Sequence, residues 1–160
     1  MLPINHYEAF IVTKADGIYI FNGIDFKRLI TDTDRELSGA NINKAVLTKD
    51  SLLVIGTIQN GVTALNYKGQ KVWSLNTNNV LQNNTVLGMC CDQENNLWLA
   101  LDKGISMLRL GKSLIYIHTF SPAIGAIYSV NFQEPDNLFI ATNQGFYRAK
   151  LNITAKQIVS

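Results

Sequence analysis

Histidine, cysteine and proline are scarce in this chain of 160 residues, which contains two, two and three of them. No apolar run approaches the roughly 20 residues that a membrane-spanning helix needs, so we expect no membrane segment. The first seven residues lack the basic region and the apolar core of a secretion signal. Fourteen basic side chains are balanced by twelve acidic ones and form no basic stripe. We therefore expect no nucleic acid partner.

The scarcity of histidine and cysteine also limits the chemistry. A nucleophilic mechanism needs a base, and histidine is the usual one. His6 lies near the N-terminus, and His118 falls in a predicted outer strand, where we expect a structural role. Cys90 and Cys91 are adjacent, so on a strand they point to opposite faces and neither bond to each other nor form a four-ligand zinc site. We expect no catalytic residue, no metal and no cofactor, and hence no enzyme.

A repeated phrase organises the chain. The sequence LWLALDKGI at residues 97–105 recurs as LFIATNQGF at residues 138–146, and more loosely at residues 52–62 and 9–18. Each copy ends in a glycine followed by an apolar residue, and Gly17, Gly61, Gly104 and Gly145 are separated by 44, 43 and 41 residues. A period of roughly 40 residues is typical of propeller blades, in which one unit holds four short strands.

Strand-length apolar segments fill each period, and turn residues separate them. Three units show four such segments, whereas the first shows three and none before Ala9. The prediction is an all-β partial β-propeller of about four blades of four-stranded antiparallel sheets, with an incomplete first blade and fifteen strands. One domain, residues 1–160, would contain blades at about 7–37, 40–80, 81–122 and 123–160. Residues 34–37 are expected to form one helical turn that Ser38 and Gly39 end.

The third unit, residues 81–105, resembles the two-component regulator propeller repeat. That repeat has a valine strand, then D-x-x-G-x-L-W-x-G-T, then a glycine and an apolar residue. The matching positions hold Asp92, Leu97, Trp98, Gly104 and Ile105. The departures are Glu94 and Asn96 around the place of the glycine, and Ala100 and Leu101 in place of the Gly-Thr pair. Gly56 and Thr57 restore that pair in the second unit, and Ala141 and Thr142 nearly do so in the fourth.

The resemblance implies a sensor role. Such repeats form extracytoplasmic sensor propellers of hybrid two-component histidine kinases, best known from gut Bacteroides that detect polysaccharide breakdown products. It implies a periplasmic location, an oligosaccharide ligand and the rest of a histidine kinase as partner. Those sensors have larger propellers, so four units suggest a piece of a longer array. Its unpaired edges at residues 9–13 and near the C-terminus would recruit a second copy, giving a homodimer or eight-bladed pseudo-ring.

Polar turns at one mouth of the predicted ring are the candidate ligand site. The loops between blades and the turns between second and third strands meet there, and amide side chains can bond sugar hydroxyls as donor and acceptor. The candidate ligand-binding residues are Asn60, Asn83, Asn84, Lys103 and Asn143. Asparagine also favours turns for local reasons, so a purely structural role for these residues stays open.

Two other functions stay open at this stage. A protein interaction scaffold would use the flat faces or open edges of the ring and no small molecule. An enzyme would need paired acids, and the dense acidic group of Asp32, Asp34 and Glu36 is expected to be a solvated loop instead. Asp92 and Glu94 are expected to shape a turn. Trp98 is expected to pack between blades, and Trp73 to be partly exposed.

Overall fold

The computed structural model describes residues 1–79, 81–109, 113–117, 124–133, 135–152 and 157–159. These residues form sixteen strands in four antiparallel sheets of four, with the strands of each sheet in chain order. The first sheet contains β1 (Leu2–Pro3), β2 (Ala9–Val12), β3 (Ile18–Phe21) and β4 (Phe26–Leu29). The second contains β5 (Ile42–Leu47), β6 (Leu53–Thr57), β7 (Val62–Leu65) and β8 (Lys71–Leu75).

The third and fourth sheets repeat this plan. The third contains β9 (Val86–Cys91), β10 (Asn96–Leu101), β11 (Ile105–Arg109) and β12 (Ser113–Ile117). The fourth contains β13 (Ile127–Gln133), β14 (Asn137–Thr142), β15 (Gly145–Asn152) and β16 (Gln157–Val159). We call each sheet a blade. The first strand of blade three, β9, adjoins the first strands β5 and β13 of blades two and four, so these three blades are arranged around their inner strands. The predicted partial propeller of four-stranded blades is confirmed.

The first blade departs from the prediction because it has a fourth strand. In β1, Leu2 pairs with Phe10 and Pro3 with Ala9. The count of fifteen strands and the absence of a strand before Ala9 were therefore wrong: two residues, one of them proline, are too short to show a periodic pattern. Part of the edge predicted to be open at residues 9–13 is covered by β1. The outer strand predicted at 114–120 is β12, and His118 lies outside the described residues.

One helix, α1 (Asp34–Ser38), joins the first two blades and matches the predicted single turn. Its Leu37 is buried between those blades. Within the described ranges, no helix is long and apolar enough to cross a bilayer.

The repeated glycines end the turn between the second and third strands of each blade. Gly17, Gly61 and Gly104 have φ values of 94°, 70° and 88°, a conformation that favours glycine. A Cβ atom at Gly61 would also collide with the backbone oxygen of Leu75. A threonine closes the turn in three blades, where Oγ1 of Thr13 donates to the Gly17 carbonyl (2.8 Å), Oγ1 of Thr57 to that of Gly61 (3.1 Å) and Oγ1 of Thr142 to that of Gly145 (3.2 Å).

The core consists of three apolar clusters, each lying between two consecutive blades of the described part. Strand alternation creates them. In β10, Trp98 and Ala100 pack towards the fourth blade, whereas Leu97, Leu99 and Leu101 pack towards the second. Burying a large apolar side chain stabilises a fold by about 1.5 to 3 kcal/mol, so most of the stability of a blade comes from its neighbours.

The adjacent cysteines follow the same alternation. Cys90 packs on the cluster between blades three and four, and Cys91 on the cluster between blades two and three. Both are free thiols, as expected from their opposite directions. Burial raises the pKa of each thiol from 9.0 to about 11. Both therefore stay protonated at neutral pH, which makes them poor nucleophiles.

Candidate ligand-binding rim

The loops between blades and the turns between second and third strands meet at one end of the sheets, which we call the rim. The same hydrogen bond recurs there in three blades. The backbone N–H groups of Ile58, Asp102 and Asn143 donate to the carbonyl that precedes the inner strand of the same blade. The acceptors are Asn41 (3.0 Å), Thr85 (3.0 Å) and Ala126 (3.2 Å). The rim is thus a repeated, hydrogen-bonded surface.

The structure brings two of the predicted site residues together in the second blade. The backbone N–H of Gly61, next to Asn60, donates to the carbonyl of Asn84 (3.0 Å). The side-chain Nδ2 of Asn60 donates to the carbonyl of Glu36 (3.2 Å), which ties this turn to α1. Lys103 lies in the equivalent turn of the third blade, and Asn143 in that of the fourth. All five predicted residues therefore lie on the rim, although spread over three blades and their loops.

Three of the asparagine side chains use their oxygen to hold a loop. Oδ1 of Asn83 accepts from the N–H of Thr85 (2.7 Å), and Oδ1 of Asn84 accepts from that of Thr77 (2.8 Å). Oδ1 of Asn143 accepts from the N–H of Ala126 (3.0 Å). These bonds are the local structural use of asparagine that the sequence analysis left open.

The same geometry leaves donors free at the rim. Within the described residues, the Nδ2 groups of Asn83, Asn84 and Asn143 make no hydrogen bond, and the exposed Lys103 makes none and no ion pair. Asn60 is the converse case, because its Nδ2 is used and its Oδ1 is free. Such groups suit a ligand rich in oxygen acceptors, and they provide hydrogen bonds rather than acid–base chemistry.

The acidic residues weighed for catalysis are occupied by structural contacts. The Asp32 carboxylate accepts from the backbone N–H of Lys71 (2.9 and 3.0 Å), and Glu36 forms an ion pair with the Lys71 Nζ (2.9 Å). Oδ1 of Asp34 accepts from the Thr31 hydroxyl (2.6 Å). The contacts of Asp32 and Glu36 tie the first interblade loop to β8, and that of Asp34 lies within the loop. No cluster of metal-ligating side chains occurs in the ranges that the structure describes.

One buried network was missed by the sequence analysis. Asp92 is a turn residue, as predicted, and its Oδ1 accepts from the N–H groups of Glu94 (3.0 Å) and Asn96 (2.8 Å). Its Oδ2 also accepts from Nδ2 of Asn96 (2.9 Å) and from the indole N–H of Trp98 (3.0 Å). The ring of Trp98 stacks on Phe132 of the fourth blade (6.0 Å between centroids). The carboxylate therefore orients the tryptophan that packs between blades.

The other tryptophan, Trp73, is half-buried, as expected.

A cleft was also missed. It has a volume of about 380 Å³ and lies between the first and second blades. The ends of β1 and β2 line one side and β5 the other, with Lys14 and Lys44 among the lining residues. At this cleft β1 pairs with β2 over two residues only, whereas β5 pairs with β6 over five. It depends on packing between units, so no sequence signal marks it.

Together, the stacked four-stranded blades define a segment of a β-propeller. Two similar solved structures are extracellular domains of hybrid two-component systems from B. thetaiotaomicron, each 15% identical. The TM-scores are 0.71 and 0.63, and the matches cover 91% and 88% of this chain. The chain spans only 22% and 20% of those two structures. A protein named as a gluconolactonase has a TM-score of 0.59 at 13% identity, with 84% of this chain and 45% of that chain covered. At these identities the likeness shows the fold alone.

The sequence match is more specific but shorter. The family model of the two component regulator propeller matches residues 80–103, a range that includes β9 and β10. The resemblance stated for this unit is thereby confirmed. Comparison with curated proteins gives no match.

Proposed function

We propose that this chain is a non-catalytic segment of a sensor propeller in a two-component regulatory system. The observation that carries the proposal is the regulator propeller match at residues 80–103. Two solved structures with this fold are extracellular domains of such systems, which supports a periplasmic location and a histidine kinase as the wider partner. The Asp32 and Glu36 carboxylates both contact Lys71, which supports a binding role for the chain over a hydrolytic one.

In this proposal the rim binds an oligosaccharide. The free amide donors of Asn83, Asn84 and Asn143, the Oδ1 of Asn60 and the Lys103 ammonium would contact sugar oxygens and hydroxyls. The blades hold these groups in place through the backbone bonds that recur in three blades. Preorganised groups of this kind lose little entropy on binding.

The test is thermal unfolding with a panel of plant and host oligosaccharides. A ligand at 100 times its Kd stabilises the folded state by about 2.7 kcal/mol, which raises the midpoint of a chain this size by about 5 to 10 °C. Lys103→Ala should abolish the shift without changing the midpoint of the free protein, because Lys103 is exposed and unpaired. Lys68→Ala is the matched control, since Lys68 is also exposed but lies in the turn between β7 and β8, at the other end of the sheet. No shift with any sugar, or an equal shift in Lys103→Ala, contradicts the proposal.

A protein interaction scaffold is the second candidate, and exposed aromatic side chains favour it. Phe146 is 70% exposed and Phe26 is 63% exposed. We include in this candidate the homodimer through open sheet edges that the sequence analysis predicted. A scaffold would show self-association or protein binding with no sugar-induced shift.

A further inference from the structure

Two asparagines of this chain are followed directly by glycine, and the fold holds the two pairs in different ways. They are Asn22–Gly23, in the turn between β3 and β4, and Asn60–Gly61, in the turn between β6 and β7. An asparagine in this position can react with its own main chain, because a glycine without a Cβ atom leaves its nitrogen open to the side-chain amide. Binding at the rim involves Asn60 and gives no role to Asn22.

The side chain of Asn22 is held inside its own turn by its oxygen. Oδ1 accepts from the backbone N–H groups of Ile24 (3.0 Å) and Asp25 (2.7 Å). The main-chain N–H of Asn22 donates to the carbonyl of Asp25 (3.2 Å), which closes the turn. The Nδ2 group of Asn22 makes no hydrogen bond to any described residue, so nothing there retains the amide nitrogen.

The glycine of this turn is exposed and unobstructed. Gly23 has φ 92°, and a Cβ atom placed on it would meet no heavy atom within 4 Å. Its N–H makes no hydrogen bond within the described part of the chain. The nitrogen of Gly23 can therefore lose its proton to water without breaking a contact of the fold.

The second pair is held in the opposite way. The N–H of the buried Gly61 donates to the carbonyl of Asn84 (3.0 Å), and Nδ2 of Asn60 donates to the carbonyl of Glu36 (3.2 Å). The backbone oxygen of Leu75 also packs against Gly61. In this turn the attacking nitrogen and the leaving amide would each have to give up a hydrogen bond, so the fold protects Asn60.

We propose that Asn22 is a site of spontaneous deamidation, at which the main-chain nitrogen of Gly23 attacks the side-chain amide. The Gly23 nitrogen loses its proton to water and bonds to Cγ of Asn22, while Oδ1 takes the negative charge. The N–H groups of Ile24 and Asp25 lie 3.0 and 2.7 Å from that oxygen, which is the range at which donors stabilise an oxyanion. The bond between Cγ and Nδ2 then breaks, and the nitrogen takes a proton from water and leaves as ammonia.

Water completes the reaction. It adds to either carbonyl of the cyclic imide, so position 22 becomes aspartate or isoaspartate, and each product has a negative charge that Asn22 lacks. Isoaspartate also adds a carbon atom to the main chain, which lengthens the turn that joins β3 to β4. The reaction consumes water and involves no rim residue, so it is independent of sugar binding.

Incubation of the unmodified protein at mildly alkaline pH, followed by peptide mass spectrometry, tests the proposal. Replacement of the amide nitrogen by oxygen raises the peptide mass, and fragmentation assigns the change to one asparagine. In the folded protein, position 22 should convert at least about tenfold faster than position 60, because only Asn22 has two N–H donors on its oxygen and an unbonded glycine nitrogen beside it. In urea the two rates should become similar, since the fold then holds neither pair.

Gly23→Ala is the matched variant, because the added Cβ atom hinders the attack and meets no neighbouring atom. Conversion at position 22 should fall by about tenfold or more, with circular dichroism reporting the fold. If the positive φ prevents Gly23→Ala from folding, the comparison of folded and unfolded unmodified protein decides alone.

Three results would overturn the proposal. They are equal rates at positions 22 and 60 in the folded protein, a rate at position 22 that rises when the protein unfolds, and an unchanged rate in a folded Gly23→Ala variant. The measurement contains no sugar, so its failure leaves the rim proposal standing, and the absence of a sugar-induced shift leaves this site standing.

Discussion

Blades three and four share a repeat in their second strands, NLWLAL at residues 96–101 and NLFIAT at 137–142, but have different surroundings. Trp98 and Phe139 occupy one repeat position, yet Trp98 is 1% exposed while Phe139 is half-buried on an open face. Both strands pair in the same register with the strand that follows. The difference teaches that the strand sequence fixes which way a side chain points, whereas the neighbouring blade decides whether it is buried.

The turns of the two blades differ as well. In blade three, Asp92 accepts a hydrogen bond from the indole N–H of Trp98. The corresponding residue of blade four is Gln133, which is exposed and pairs with Asn137 of β14. The family model matches the third unit and not the fourth. The third unit, in which Asp92 holds the Trp98 indole, is therefore also the unit that matches the family model.

The largest expected effect is the loss of Trp98. Trp98→Ala should lower the free energy of unfolding by about 3 to 5 kcal/mol, because it leaves a cavity between blades three and four. Phe139→Ala at the same repeat position should cost less than about 1.5 kcal/mol, since Phe139 packs in none of the clusters between the described blades. Urea unfolding at low protein concentration measures both. Equal losses for the two variants would show that the faces are not distinguished by the adjoining blade.

A smaller effect is expected from the turn carboxylate. Asp92→Ala removes the acceptor for the Trp98 indole and for three further N–H groups, and should cost about 2 to 3 kcal/mol. Gln133→Ala is the matched change in blade four and should stay within about 0.5 kcal/mol. The same unfolding experiment checks the pair. A negligible loss in Asp92→Ala would mean that the network contributes nothing to the third blade.

Sequence alone predicts what is local and repeated. The spacing of the glycines gave the four blades, because each marks a turn with positive φ, and alternation gave the opposite directions of Cys90 and Cys91. It missed β1, which is too short to show a pattern. The sequence also did not show what replaces the glycine of the repeat in the third unit. Asn95 takes φ 64° at that place, and its side chain forms hydrogen bonds with Lys49 and Asp50 of blade two.

The candidate site was predictable only in its position. Turn composition placed Asn60, Asn83, Asn84, Lys103 and Asn143 at one rim, where the structure has them. Which amide atoms are free depends on the fold of the loops: Asn83 accepts from Thr85 two residues away, whereas Asn143 accepts from Ala126 in a different loop. The cleft beside β5 is lined by residues of two blades, so the pattern within one repeat does not predict it.

Hydroxyl-radical labelling of the aromatic side chains tests the central claim most directly, because it reads the exposure of equivalent repeat positions in one sample. Each labelling rate is compared with that of the same residue in the unfolded chain. In dilute protein, we predict strong protection of Trp98 and little protection of Phe26 and Phe146. Protection of Trp98 no greater than that of Phe146 would contradict the account, in which Trp98 is buried between blades three and four and Phe146 is exposed.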